Sequence, residues 1–388
     1  MMQSLSHRTT LFTDSVIRRM TRISLECDAV NLSQGFPDFD PPAAVLEALR
    51  EAAREPVHQY SITYGAADFR QALAEKQTRF MGRKIDPETE VTVTCGSTEA
   101  MLAAMMSVVD PGDSVVVFSP FYENYRADAI LAGAEVTFVP LVPPHFTFDP
   151  AVLEAAFAKG AKALVLCNPS NPCGKVFTRD ELSLIAQLAC EYGAYVLVDE
   201  VYEHIVYPPN VHTYFATLPG MWERTITCGS LSKTYSITGW RLGYAIACPE
   251  ITERLKKVHD FLTVGAPAPL QHAIVPALRF GMEYYDELQK TYATKREHLC
   301  SGLDALGLAH TVPQGAYYVL MDIGEFGYDD DLVFCEKMAR EVGVSAVPGS
   351  SFFHEPVNNL VRLNFAKRPE TLDAALNRLE TLRAKMLR

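Results

Sequence analysis

Residues 225–243, TITCGSLSKTYSITGWRLG, set a single lysine, Lys233, in a run of small and hydroxyl residues with Arg241 eight positions on. A lysine amine can bond to an aldehyde only when part of it is deprotonated, which requires a cationic or desolvated setting. No acidic residue occurs from Thr225 to Ala247. The hydroxyls of Ser230 and Ser232 and the guanidinium of Arg241 suit a phosphate, because planar arginine offers paired donors and hydroxyls add short hydrogen bonds. A lysine for an aldehyde beside groups for a phosphate points to pyridoxal 5′-phosphate. The plainer alternative is that Lys233 and Arg241 are solvated turn charges.

Elements able to position such residues follow from the patterning. From about residue 91, short β-branched runs alternate with helical periodicity, the pattern of a parallel sheet covered by helices on both faces. The runs VTVT (91–94), VVVF (115–118), EVTFVPL (135–141), ALVLC (163–167), YVLVD (195–199), TITCG (225–229) and LGYAIA (242–247) read as strands. They are short and unalternating, as strands buried on both faces should be. Helices are expected at 98–109, after Tyr122, at 151–159 behind Asp149-Pro150, and behind a Thr178/Glu181 capping box with Gly193 ending it. Beyond about 282 the pattern changes to a long charged helix, shorter strands near 316–322 and 360–365, and a C-terminal helix. The expected organisation is a large domain at 47–281 and a smaller one at 282–388. Residues 1–46 form an N-terminal arm that packs with the smaller one.

Composition narrows the partners. The chain has 388 residues, 48% of them hydrophobic and 21% charged, enough for a large core in two domains. Its formal charge, 35 − 47 = −12, argues against a nucleic-acid partner, since phosphate backbones are held by basic surfaces. Nine cysteines at 27, 95, 167, 173, 190, 228, 248, 300 and 335 form no CxxC pair. An odd, scattered set fits reduced thiols in the cytoplasm, with no disulfide framework and no metal site. No run of about 18 apolar residues exists, so no membrane span is expected. Residues 1–23 carry Arg8, Arg18, Arg19 and Arg22 against Asp14 alone, faintly like a transit peptide. An arm with a short helix is the preferred reading.

Polar residues gather at strand ends, where open α/β sheets bind ligands. NPSNPCGK (168–175) follows ALVLC, Asp199 and Tyr202 stand at the end of YVLVD, and Cys95-Gly96-Ser97-Thr98 leads into a helix N-terminus with free N–H groups for an anion. Singly, each could be a cap. In this order, with SQGFPDFDPP (33–42), DEVYEH (199–204) and NLVRLNFA (359–366), they resemble the class I/II aminotransferases of pyridoxal-phosphate fold type I. The resemblance spans nearly the whole chain. The QGFPDF and GSxxKTxxxTGWRxG wording is similar to the kynurenine, glutamine and methionine aminotransferase subgroup.

The resemblance implies an α/β fold whose large domain holds a mostly parallel seven-stranded sheet, with a smaller α+β domain. It also implies roles. Lys233 is the Schiff-base lysine and general base, Asp199 pairs with the pyridine nitrogen, and Asn171 and Tyr202 hydrogen-bond the ring oxygen. Ser97 and Thr98 by backbone, with Ser230 and Arg241, hold the phosphate. Tyr122 stacks on the ring, and Tyr60 reaches the phosphate of a neighbouring subunit. Arg362 clamps the substrate carboxylate, with Gly35 and Asn171 nearby and Phe36 as lining. The implied enzyme is a cytoplasmic homodimer with shared sites that passes nitrogen from an L-amino acid to a 2-oxo acid in a ping-pong cycle through pyridoxamine phosphate. Two departures stand out: Arg241 where some kynurenine-type members have lysine, and Cys173 where threonine is usual. The competing readings are a pyridoxal-phosphate C–S lyase of the same fold and a non-catalytic ligand-sensing domain. No GxGxxG follows the first strand, which disfavours a nicotinamide dehydrogenase.

Overall fold

The computed structural model describes residues 3–387, so residues 1–2 and 388, at the ends of the expected domain spans, lie outside it. Its main sheet has seven strands in the order Val91–Thr94, Gly243–Ile246, Thr225–Ser230, Tyr195–Asp199, Ala161–Cys167, Ser114–Ser119, Glu135–Pro140. Along Ser114–Ser119, Val116 and Phe118 pack into one core cluster while Val115 and Val117 pack into another on the opposite face. Strands buried on both faces have no polar side to show, and this is why their sequences do not alternate.

One strand departs from the expected parallel series. Gly243–Ile246 runs antiparallel to both of its neighbours. Only the four-residue helix Leu231–Thr234 and a single 3-10 turn, Thr238–Trp240, separate it from the strand before it. A parallel return needs a full crossover helix, so the chain turns back on itself instead.

Local punctuation matches the sequence. Thr178 Oγ1 accepts from the Glu181 N–H at 3.2 Å and the Glu181 carboxylate accepts from the Thr178 N–H at 2.8 Å, closing a capping box before Arg179–Glu191. Gly193 follows with φ 68°.

A second, antiparallel sheet orders Val347–Pro348, Leu360–Asn364 and Tyr318–Asp322, flanked by the helices Met282–Ala305 and Pro369–Leu379. Val30–Asn31 pairs with Val344–Ser345. The helix Val16–Glu26 sends Met20 and Ile23 into the core around Tyr292 and Val344, and Ile17 into a core of the main sheet. That helix therefore straddles the boundary along which a cleft opens. Among the described residues no helix is long and apolar enough to cross a membrane.

Candidate active site

Asn168, Asp199 and Ser230 lie at or just past the ends of three parallel strands, and a cleft of about 460 Å³ opens above them. Every residue singled out for a site lines this cleft except Tyr60.

Lys233 is the third residue of the short helix that follows Ser230. Its Nζ donates to the Gly35 carbonyl at 2.9 Å. Burial pushes the amine down to about 8; Arg241 and Arg362 act in the same direction and Asp199 opposes them. The local sequence lacks an acid, but the fold brings one: Asp199, from the neighbouring strand, faces the amine across the cleft floor. Asp199 is buried, accepting from the Tyr125 hydroxyl at 2.7 Å and from the Val201 N–H at 3.3 Å. Burial raises its carboxyl to about 6 against these donors and Lys233.

At one end of the cleft the helix Ser97–Val108 begins, and the N–H groups of Ser97 and Thr98 have no intrahelical acceptor there. Gly96 precedes them at φ 80°, and a Cβ on it would overlap the Arg241 guanidinium. Arg241 therefore sits directly against the turn, its Nη1 donating to the Thr238 carbonyl at 3.0 Å. Ser230 Oγ accepts from the Ser232 N–H at 3.0 Å. Behind the turn, Glu99 accepts from the Cys95 N–H at 2.5 Å and meets His259 Nδ1 at 2.6 Å. Residues 160 apart make this support, and no local motif signals it.

At the other end stands Arg362, 1% exposed. Val361 and Leu363 point into the core of the smaller sheet, so strand alternation turns Arg362 to the cleft. Its Nη1 donates to Asn171 Oδ1 at 2.7 Å and its Nη2 to the Ser33 carbonyl at 2.9 Å. The guanidinium lies over the rings of Tyr318, at 4.2 Å, and Phe352, at 4.6 Å. Among the described residues no carboxylate forms an ion pair with it, and Nε has no hydrogen-bond partner.

The loop carrying Gly35 is fastened by four consecutive carbonyls. Ser33 accepts from Arg362, Gln34 from Asn364 Nδ2 at 2.8 Å, Gly35 from Lys233 and the Tyr317 hydroxyl at 2.9 Å, and Phe36 from Lys367 Nζ at 3.0 Å. A side chain at position 35 would overlap the Tyr318 hydroxyl, so only glycine allows this approach. Tyr318 in turn lies 3.0 Å, oxygen to oxygen, from Tyr202. Tyr122 is half-buried on the cleft wall, and burial raises its phenol.

Tyr60 is 87% exposed and lies outside the cleft, in a groove with Val264 and Pro267. Cys173 is buried 3.3 Å from Ser170 Oγ and takes no part in the cleft. The residues that sequence reasoning missed include Tyr125, Tyr317, Tyr318, the Ser33 carbonyl and the Glu99–His259 support.

The arrangement offers a partly neutral amine, a buried carboxylate opposite it, an anion cradle at one end and an unpaired guanidinium at the other. These groups fit a phosphorylated aldehyde with a basic ring nitrogen, plus a second molecule that carries a carboxylate.

The model of the aminotransferase class I and II family matches residues 28–379. Methionine aminotransferase of Escherichia coli (strain K12) is 36% identical over 96% of this chain and 96% of its own length. Kynurenine–oxoglutarate transaminase 3 of Mus musculus is 36% identical over 92% of this chain and 85% of its own. The solved structure of N-succinyldiaminopimelate aminotransferase from Mycobacterium tuberculosis superposes with a TM-score of 0.94 at 37% identity, covering 98% of this chain and 100% of that one.

Proposed function

The chain belongs to the class I and II aminotransferases, pyridoxal-phosphate enzymes that pass an amino group from an amino acid to a 2-oxo acid, and on that premise we propose how its residues divide the work. When bound, the cofactor supplies an electron sink for the pair released as the substrate Cα–H bond breaks. Lys233 would hold the cofactor through Nζ and, once the incoming substrate amine has displaced it, its freed amine would carry the proton from the substrate Cα to the former aldehyde carbon. Its lowered pKa supports this role, because a base must be partly free near neutral pH. Asp199 holds a proton on the ring nitrogen. Tyr202 and Asn171 donate to the ring oxygen; with Oδ1 of Asn171 taken by Arg362, its Nδ2 is the group left to donate. Ser97, Thr98, Ser230 and Arg241 hold the phosphate, and Tyr122 covers the ring.

Arg362 binds the substrate α-carboxylate beside Gly35. Ile17, Phe36 and Tyr122 line the cleft together with Arg18, Gln34 and Glu123, so a substrate side chain meets both apolar and charged surfaces there. We assign residues 47–281 to the cofactor-binding domain and 1–46 with 282–388 to the smaller one. We also propose a homodimer in the cytoplasm. Exposed Tyr60 and Val264, which line one groove, supply a surface for a second copy, through which Tyr60 reaches that copy's phosphate.

The observation that carries this reading is a buried arginine, Arg362, that forms no ion pair among the described residues and shares its cleft with Lys233, an amine of lowered pKa. Protein loaded with pyridoxal phosphate and given single amino acids, without oxo acid, should convert to the pyridoxamine form and release one 2-oxo acid. Return to the starting spectrum with release of ammonia would establish the lyase reading instead.

A further inference from the structure

The side chain that holds Asp199 from behind is Tyr125, which no motif of the sequence singles out. It lies on the helix Asn124–Ala132, 2% exposed, and its hydroxyl donates to Asp199 Oδ2 at 2.7 Å. The other donor to this carboxylate is the Val201 N–H, at 3.3 Å from Oδ1. Among the described residues, Tyr125 is therefore the one side chain that hydrogen-bonds Asp199.

We propose that Tyr125 is a positioning residue: it fixes the orientation of the Asp199 carboxylate and keeps the shared proton on the ring nitrogen of the cofactor. This rests on the assignment of Asp199 to that nitrogen. Burial and the neighbouring Glu200 favour neutral Asp199, while Tyr125, Val201 and Lys233 favour its charge. Asp128, Cys167, Cys228 and Tyr122 also face it. The support from Lys233 ends once its amine is covalently engaged, and besides the ring nitrogen itself the donors then left to Asp199 are Tyr125 and one backbone N–H. Asp128, one turn along the same helix, is no substitute. It is buried, its Oδ2 has no partner, and burial raises it to about 8, so it stands neutral at pH 7. A hydrogen bond favours the charged form of its acceptor, so removing it moves the proton from nitrogen toward oxygen.

Tyr125→Phe keeps the ring and its packing and removes only the donor. Two measurements test it: the dissociation constant of pyridoxal phosphate from the apoprotein, with Asp199 and with Asp199→Asn, and the pH titration of the ¹⁵N resonance of ring-labelled cofactor. With Asp199 present, the variant should bind roughly tenfold more weakly and the nitrogen should lose its proton about one pH unit lower. In the Asp199→Asn background the weakening should vanish. A fluorinated tyrosine at 125, a stronger donor of nearly the same shape, should move the titration the other way. Equal weakening in both backgrounds, or an unmoved nitrogen titration, would overturn the proposal. If Asp199→Asn alone bound cofactor like the unaltered protein, the assignment of Asp199 would fail and the proposal with it.

Discussion

Lys76 and Arg362 are both cations buried to within 2% of full enclosure, yet their surroundings are opposite. Lys76 Nζ meets Glu203 Oε1 at 2.8 Å. Glu203 also accepts from Gln77 Nε2 at 3.1 Å, the Tyr214 hydroxyl at 2.7 Å and the Tyr244 hydroxyl at 3.1 Å. Burial opposes its charge, but Lys76 and His204 together outweigh it and keep the carboxyl well below its ordinary range. Arg362 has an amide oxygen, a carbonyl and two aromatic faces, and among the described residues no ion-pair partner. A buried charge is costly unless it is paired. The completed pair ties the helix Ala67–Met81 to the segment just after Asp199 and serves the fold. The incomplete one leaves a binding site for a carboxylate from outside.

Removing either cation should therefore have different consequences. Lys76→Met strands Glu203 in the core and should cost about 3–5 kcal/mol of stability, read from denaturant unfolding, while KM of the folded fraction stays near its starting value. Arg362→Met removes a charge that no carboxylate pairs with among the described residues. Unfolding free energy should change by less than about 1 kcal/mol, whereas kcat/KM for amino acids should fall about a hundredfold, roughly 3 kcal/mol. Amines without a carboxylate should not share that loss. If Arg362→Met destabilised the fold as much as Lys76→Met, the contrast between the two sites would be wrong.

A smaller effect concerns the lysine that lies between these extremes. Lys233 is held at about 8 rather than 10.5, and the reactive free amine is the form present above its pKa. Capture of pyridoxal phosphate by the apoprotein should speed up from pH 7 and level off above about 8 to 9, a rise of roughly tenfold. A rate still climbing in proportion at pH 10 would mean an ordinary lysine.

The cofactor half of the site was legible because its residues stand immediately after strand ends. A short contiguous motif there gives residue type and location together, as for Asn171 after ALVLC, Asp199 closing YVLVD and Lys233 after TITCGS. Arg362 was legible from alternation, with apolar Val361 and Leu363 on the other face. Tyr125 was not, because FYENY offers two tyrosines three residues apart and only the helix Asn124–Ala132 decides which one meets Asp199. Tyr317 and Tyr318 pose the same difficulty: one reaches the Gly35 carbonyl and the other the face of Arg362. The reversal of Gly243–Ile246 escaped notice because an apolar run reads alike in both directions and only the brevity of its connection sets the sense. Tyr60 lies away from the cleft of its own chain, so its role is a question about a second copy.

The most direct test is to reduce the protein loaded with pyridoxal phosphate with borohydride, digest it and locate the modified residue by mass spectrometry. The cofactor mass should appear on the peptide containing Lys233, with Lys233→Ala giving neither adduct nor turnover above background. A stable adduct at another lysine, or full turnover by Lys233→Ala, would contradict the account.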